Sequence, residues 1–432
     1  MSKPLRACAF VAALLLSFGG CTGSPTFKVA NLDLYGERFV RLALDLGQHD
    51  ADYVDAYHGP EQWQRDAAKE KRALAQIRLS AETSARSLRA ARVRGGQNKR
   101  RREHLARQFE ALAFRSRMLM GEQFTFDEES RGLYDAVAPR HDAVFFQRSL
   151  DQLETLLPGA GDITTRYENF RARFVIAPER LDTVFRAAID ECAQRTRRWL
   201  ELPEDESFTI EYVNDKAWGG YNWFQGGARS LIQVNTDFPI YIDRAVDLAC
   251  HEGYPGHHVY NTLLEERLLK QRGWIEYSIL PLFSPTGLIA EGSANFGIRM
   301  AFPADERVAY EKSTLFDLAE LNVTDAARYY EVQSIVEKLS YARNEAARRY
   351  LDGEIDAIEA ADWLVRYALM ARDRAEQSMQ FVDKYRAYVI NYNLGRDLVA
   401  DWVAKAGEDP EKRWARFEEL LSEPYLPSQL VP

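Results

Sequence analysis

The stretch "DFPIYIDRAVDLACHEGYPGHH", residues 237–258, decides how the rest of the chain is read. Pro239 suits the first turn of a helix, where its missing N–H costs nothing. That helix runs into "HEGYPGHH" (251–258), which holds three of the chain's seven histidines. A glutamate stands beside the first, and a Pro-Gly pair precedes the other two. His-Glu is how a zinc-hydrolase helix opens, yet Pro and Gly are poor residues inside a helix. The spacing of the histidines therefore carries the question of whether a metal binds here.

Outward from this stretch the texture is helical on both sides. Upstream, from Asn31 to about Met120, "LDLYGERFVRLALDLG" and "REHLARQFEALAFRSRMLMGE" place apolar residues at three- and four-residue intervals. "PERLDTVFRAAIDECAQRTRRWLEL" continues the pattern, as does the segment from about Leu315 to Leu421. Between 207 and 236 the period changes. "FTIEYVND" alternates Phe208, Ile210 and Tyr212 with polar positions, and after the Gly-rich "GGYNWFQGGARS" the run "LIQVNT" reads as a second short strand. The expectation is a mainly α fold with one small β-sheet insert directly before the histidine helix. It would form a single domain over residues 21–432, its metal-site half about 207–432.

A zinc hydrolase needs two imidazoles sharing one ion, a third ligand, an open position for water and a carboxylate as general base. The usual helix sets its histidines four apart. Here His251 and Glu252 fit the opening, but on a straight helix six residues rotate by about 600° and turn His257 away, while seven carry His258 about 10 Å along the axis. Neither can share an ion with His251 unless the backbone departs from a regular helix. Pro255 and Gly256 supply that departure. If the pair bulges out, His257 takes the position of the fourth-residue histidine; His258 remains the alternative. No histidine follows His258, so the third ligand must be a carboxylate. Glu291, in "GLIAEGSANFGIRMAF", lies among small and apolar residues where an unpaired acid is costly. Glu265 and Glu266, in "LLEERLLK", read as a solvated helix face.

"HEGYPGHH" followed by "EG.A" resembles the bacterial domain-of-unknown-function family 885, grouped with zinc peptidases that use a glutamate as third ligand. The resemblance implies His251, His257 and Glu291 as metal ligands, Glu252 as base, and one Zn²⁺ per chain. It extends upstream to "ARSLIQVNT" and downstream to "YVINYNLGRDLV", similar to the family's Tyr-x-x-Gly segment (Tyr392 to Gly395), and so covers about Thr209 to Val399. Ser293 departs from the family's usual tryptophan, and "RAY" (386–388) from its usual Pro-Gly-Gln.

With 432 residues, 46% hydrophobic and 28% charged, the chain is too apolar for disorder. The basic cluster "RVRGGQNKRRRE" (92–103) lacks interleaved aromatics and reads as a solvated helix connection, so no nucleic-acid partner is expected. Residues 1–20 read as a signal segment: Lys3 and Arg6, a short apolar run, then small residues before Cys21, the pattern of a lipidated cysteine. Its removal takes away those two cations and no acid, moving the formal charge from −9 to −11. The expected location is the bacterial envelope, held to the membrane by a lipid on Cys21. Cys192 and Cys250 read as small core residues, with a bridge left open. The leading functional expectation is a zinc-dependent peptidase acting on a peptide or small amide substrate. The resemblance implies that Tyr392 would donate to the developing oxyanion; "SLIQVNT" would either receive an extended peptide by strand addition or lie inside the sheet. A metal-dependent hydrolase of a non-peptide amide or ester presents the same residues. A non-enzymatic envelope lipoprotein that binds a ligand or partner would hold no stoichiometric metal.

Overall fold

Local signals start the first helices: the Asn31 side chain caps Leu32–Gly47 by accepting from Asp33 N–H at 3.1 Å, and Thr125 forms a capping box with Glu128. In this computed structural model the described residues are 31–431 except 217 and 304, so the signal segment and Cys21 lie outside them. The long helix Gly96–Leu119 packs across Leu74–Ala90 and Leu32–Gly47, and buried apolar residues from Leu32 to Leu430 form one continuous cluster. The fold is mainly α, with two small sheets. Among the described residues no helix is long and apolar enough to cross a membrane.

Strands β2 (Ser207–Val213), β3 (Gly220–Gly226) and β4 (Arg229–Asn235) form the expected insert in the order β2-β4-β3, with β2 parallel and β3 antiparallel to β4. One expectation changes here, and one open alternative is decided. The Gly-rich stretch is itself a strand, because Asn222 and Phe224 alternate inward between outward Trp223 and Gln225. "SLIQVNT" is the central strand, paired on both edges, and cannot accept a peptide; the outer strand on the motif side is β3. A second pair, β1 (Val54–Tyr57) with β5 (Ile279–Pro281), interrupts the region read as wholly helical.

The motif helix starts at Ile242 rather than at Pro239. An isolated bridge from Val175 to Tyr241 and a hydrogen bond from Ile176 N–H to Ile240 O (2.9 Å) hold the entry extended. Arg101 is not a solvated cation: it is buried and donates to both oxygens of Glu276, at 2.6 and 2.9 Å. Glu265 is likewise buried, accepting from Gly227 N–H (2.8 Å) and Ala228 N–H (3.0 Å) to hold the β3–β4 turn, whereas Glu266 pairs with Lys270. Downstream, helices Pro285–Ala301 and Ile390–Ala404 pack backbone to backbone, since a Cβ on Gly292 would strike Gly395. This close approach gives Gly292 and Gly395 their place in the two motifs.

Cys192 and Cys250 are joined in a disulfide with a sequence separation of 58. It ties helix Leu181–Arg197 to the residue directly before His251. Closing a loop of that length constrains the unfolded chain by about 4 kcal/mol. Cys192→Ala should therefore lower the urea midpoint measurably, and reduction of the wild-type protein should reproduce the shift.

Candidate metal centre

The motif helix does not end at Pro255; it widens before it. Ala249–Gly253 forms a π-helical turn, and Tyr254 N–H reaches back to Ala249 O at 3.3 Å. Such turns admit an extra residue into a helix and recur at functional sites. Pro255 and Gly256 then step outward, Gly256 N–H donating to Cys250 O (2.9 Å), and helix His257–Leu264 begins. Gly256 is required by space rather than by dihedral angle, because a Cβ there would collide with the His251 carbonyl.

This detour brings the two imidazoles together edge-on, their ring planes 86° apart. Nε2 of His257 lies 3.1 Å from Nε2 of His251, and Oε2 of Glu291, from helix Pro285–Ala301, lies 3.3 Å from His251 Nε2 and 3.7 Å from His257 Nε2. A tetrahedral ion with bonds of 2.0–2.1 Å sets its ligand atoms about 3.3 Å apart, so these three atoms have the spacing of three corners around one ion. The same trio is a group able to hold a metal ion. Glu291 Oε2 is buried and, the two imidazoles apart, has no hydrogen-bond partner among the described residues, as suits a ligand oxygen. Its other oxygen is held by Tyr388, whose hydroxyl donates to Oε1 at 2.8 Å. Burial opposes the Glu291 carboxylate, but the facing imidazoles outweigh it and keep it well below the usual carboxylate range.

His258 stands apart from the trio. It is fully buried, with Nδ1 2.9 Å from Ser230 Oγ and Nε2 2.7 Å from Glu206 Oε2. Glu206 also accepts from Tyr254 (2.6 Å) and Arg197; against burial, these donors take it down to about 2. Ser230, His258 and Glu206 line up like a nucleophilic triad, but all three are buried and fasten β4 to the start of the helix.

Glu252 is buried, and its carboxylate accepts no hydrogen bond among the described residues. Burial raises its pKa, partly offset by His251 and His257 and reinforced by Glu291. Asn222 of β3 donates to the Glu252 backbone carbonyl at 2.7 Å, and at Gly220 a Cβ would lie 2.8 Å from Glu252 Oε1, so the strand passes directly over this residue. Tyr392 packs on Tyr388 with ring centroids 5.8 Å apart and lies within electrostatic reach of Glu291 and Glu252. Its hydroxyl makes no hydrogen bond among the described residues. The tyrosine that bonds Glu291 is thus Tyr388, one turn earlier, at the position flagged by the "RAY" departure. Asp55 of β1 carried no motif signal. It accepts from the Tyr221 hydroxyl, and burial, opposed by His257 and reinforced by Glu291 and Glu252, pushes it up to about 7.

Burial works against a charged His257, but the Glu291 carboxylate overrides it and raises the imidazole to about 9. Without metal it is therefore protonated below that pH, while a ligand imidazole must be neutral. Metal uptake at pH 7.5 should release close to one proton per ion, seen as acidification of a weakly buffered solution. Apparent affinity should rise about tenfold per pH unit toward pH 9 and then level off.

No family model and no curated protein matches this chain. Among solved structures, it is similar to a "putative lipoprotein" from Colwellia psychrerythraea, at 14% identity and TM-score 0.48, over 81% of this chain and 65% of that one. The chain thus spans a little under two thirds of that protein's length. A "putative lipoprotein of unknown function" from Shewanella oneidensis aligns at 12% identity and TM-score 0.45, over 85% of this chain and 74% of that one. A third structure, described as BsuCP, aligns at 11% identity and TM-score 0.46, over 90% of this chain and 88% of that one.

Proposed function

We propose that the protein is a zinc-dependent hydrolase that cleaves peptide bonds. The observation that carries this reading is the convergence of His251 Nε2, His257 Nε2 and the buried Glu291 Oε2, beside the buried Glu252 carboxylate, which accepts no hydrogen bond among the described residues. Two imidazoles and one carboxylate suit zinc and leave a fourth position open. A bound zinc ion supplies Lewis acidity toward a carbonyl and toward water. The chain supplies the rest. Glu252, unpaired and raised by burial, takes a proton from the attacking water and returns it to the leaving amine. Tyr388 holds Glu291 in place, and the unengaged Tyr392 hydroxyl donates to the oxyanion. The edge of β3 beside Glu252 offers backbone groups to an extended substrate. We place the protein in the bacterial envelope, anchored through Cys21, on the pattern of residues 1–21.

The test uses protein that starts after Cys21 and is purified without chelators. One zinc per chain, with peptide hydrolysis abolished by a chelator and restored by added zinc, is the expected result. A protein that binds no zinc when it is supplied in excess overturns the proposal.

A further inference from the structure

Four arginines, Arg171, Arg244, Arg343 and Arg374, form a chain of neighbouring charges beside the motif helix, and two of them have no acidic partner among the described residues. Phe238, Tyr241 and Arg244 follow at three-residue intervals where the chain enters the motif helix. Arg374 lies over the Phe238 ring at 4.1 Å and Arg171 over the Tyr241 ring at 4.3 Å. Arg244 stands seven residues before His251, some 10 Å down the motif helix, and its charge acts on Glu252. Arg343, on helix Ala342–Leu351, interacts with Arg244, Arg374 and Tyr392, while Tyr392 interacts with Glu291 and Glu252. The cluster is thus continuous with the metal centre.

Its charges are incompletely balanced. Arg171 pairs with Glu168 at 2.7 Å, and Arg244 with Asp247 at 3.1 Å, an acid also held by Arg307 at 2.8 Å. The Arg343 and Arg374 guanidinium groups have no carboxylate within ion-pair distance among the described residues; Arg374 donates from its side chain to Gln377 at 3.0 Å, and Asp373 accepts from the Arg374 backbone N–H at 2.8 Å and reaches the guanidinium only electrostatically. Burial and the neighbouring cations bring Arg343 down to about 10 and Arg374 below its usual range, although Arg244, Arg343 and Arg374 all reach solvent. Like charges held together at the protein surface favour an incoming anion, and guanidinium forks match a carboxylate bidentately.

We propose that Arg343, Arg374 and Arg244 form a carboxylate subsite that receives the free C-terminal carboxylate of a peptide, directing cleavage to that end of the chain. This rests on the peptidase reading. The axial offset of about 10 Å, shortened by the reach of an arginine side chain, is spanned by one to three extended residues at about 3.5 Å each.

The probe is an acetylated alanine tetrapeptide in two forms, free acid and C-terminal amide, titrated calorimetrically into the zinc-loaded Glu252→Gln protein. The acid should bind at least about tenfold more tightly. Adding Arg343→Gln or Arg374→Gln should remove that preference and leave amide binding unchanged. Equal binding of the two forms, no binding of the acid, or arginine variants that weaken both forms alike would each overturn the subsite. Hydrolysis of the same peptides by wild-type protein judges the peptidase reading separately. An acid preference without turnover keeps the subsite and sinks the peptidase; turnover of both forms without preference does the reverse.

Discussion

His257→Ala protein, dialysed after zinc loading, should retain no stoichiometric metal, while His258→Ala protein should retain it and lose stability instead. The two histidines are adjacent, yet the outward step at Pro255-Gly256 sends them to different tasks. His257 Nε2 closes the trio 3.1 Å from His251 Nε2, whereas His258 Nε2 sits 2.7 Å from Glu206 inside the protein. Losing a partner behind a metal ligand already costs 10–100-fold in affinity, so losing the ligand itself should exceed about 100-fold. Removing His258 leaves the buried Glu206 with Tyr254 and Arg197 alone; unpairing a buried charge costs about 3–5 kcal/mol, and these remaining donors place the loss near the lower end. Metal content after dialysis and the urea midpoint read the two effects independently. Metal lost with His258→Ala and kept with His257→Ala would reverse the assignment.

The sequence carried the helical class because periodicity accumulates over long segments, and it carried the break in the motif helix because Pro255-Gly256 cannot continue a regular helix, with His257 and His258 left as alternatives. What it left open or misread depends on contacts between distant segments. The three-residue β5 offers no alternation, and pairing with β1 makes it a strand. Glu265 has the composition of a solvated face, and only the β3–β4 turn folded against it turns it into an acceptor for two buried N–H groups. Cys192 and Cys250 are separated by a length that carries no spacing signal. Tyr388 and Tyr392 are one helical turn apart, so periodicity cannot say which hydroxyl reaches Glu291; the packing of Gly292 against Gly395 decides it. Asp55 lies under no motif at all, and reaches the centre because β1 crosses beside β3.

Glu252→Gln should abolish hydrolysis, leave zinc in place and stabilise the metal-free fold. Glutamine keeps the shape of glutamate and cannot accept the water's proton, so turnover should fall by the general-base contribution, about 10²–10⁴-fold. Zinc content should not change, because the ligand atoms belong to His251, His257 and Glu291. The stability effect follows from the sign of the pKa shift. Burial raises Glu252 in the folded protein above its unfolded value, so above the unfolded pKa the folded state carries a penalty for keeping this carboxylate charged. A neutral side chain removes that penalty. The urea midpoint of metal-free Glu252→Gln should therefore lie above that of wild type at pH 7.5, and the difference should shrink as pH falls through the carboxylate range. A residue that merely supported the fold would do the opposite, lowering midpoint and activity together. Loss of turnover with a gain in stability is the signature of a carboxylate kept unpaired for proton transfer, and retained turnover in Glu252→Gln would remove Glu252 from that role.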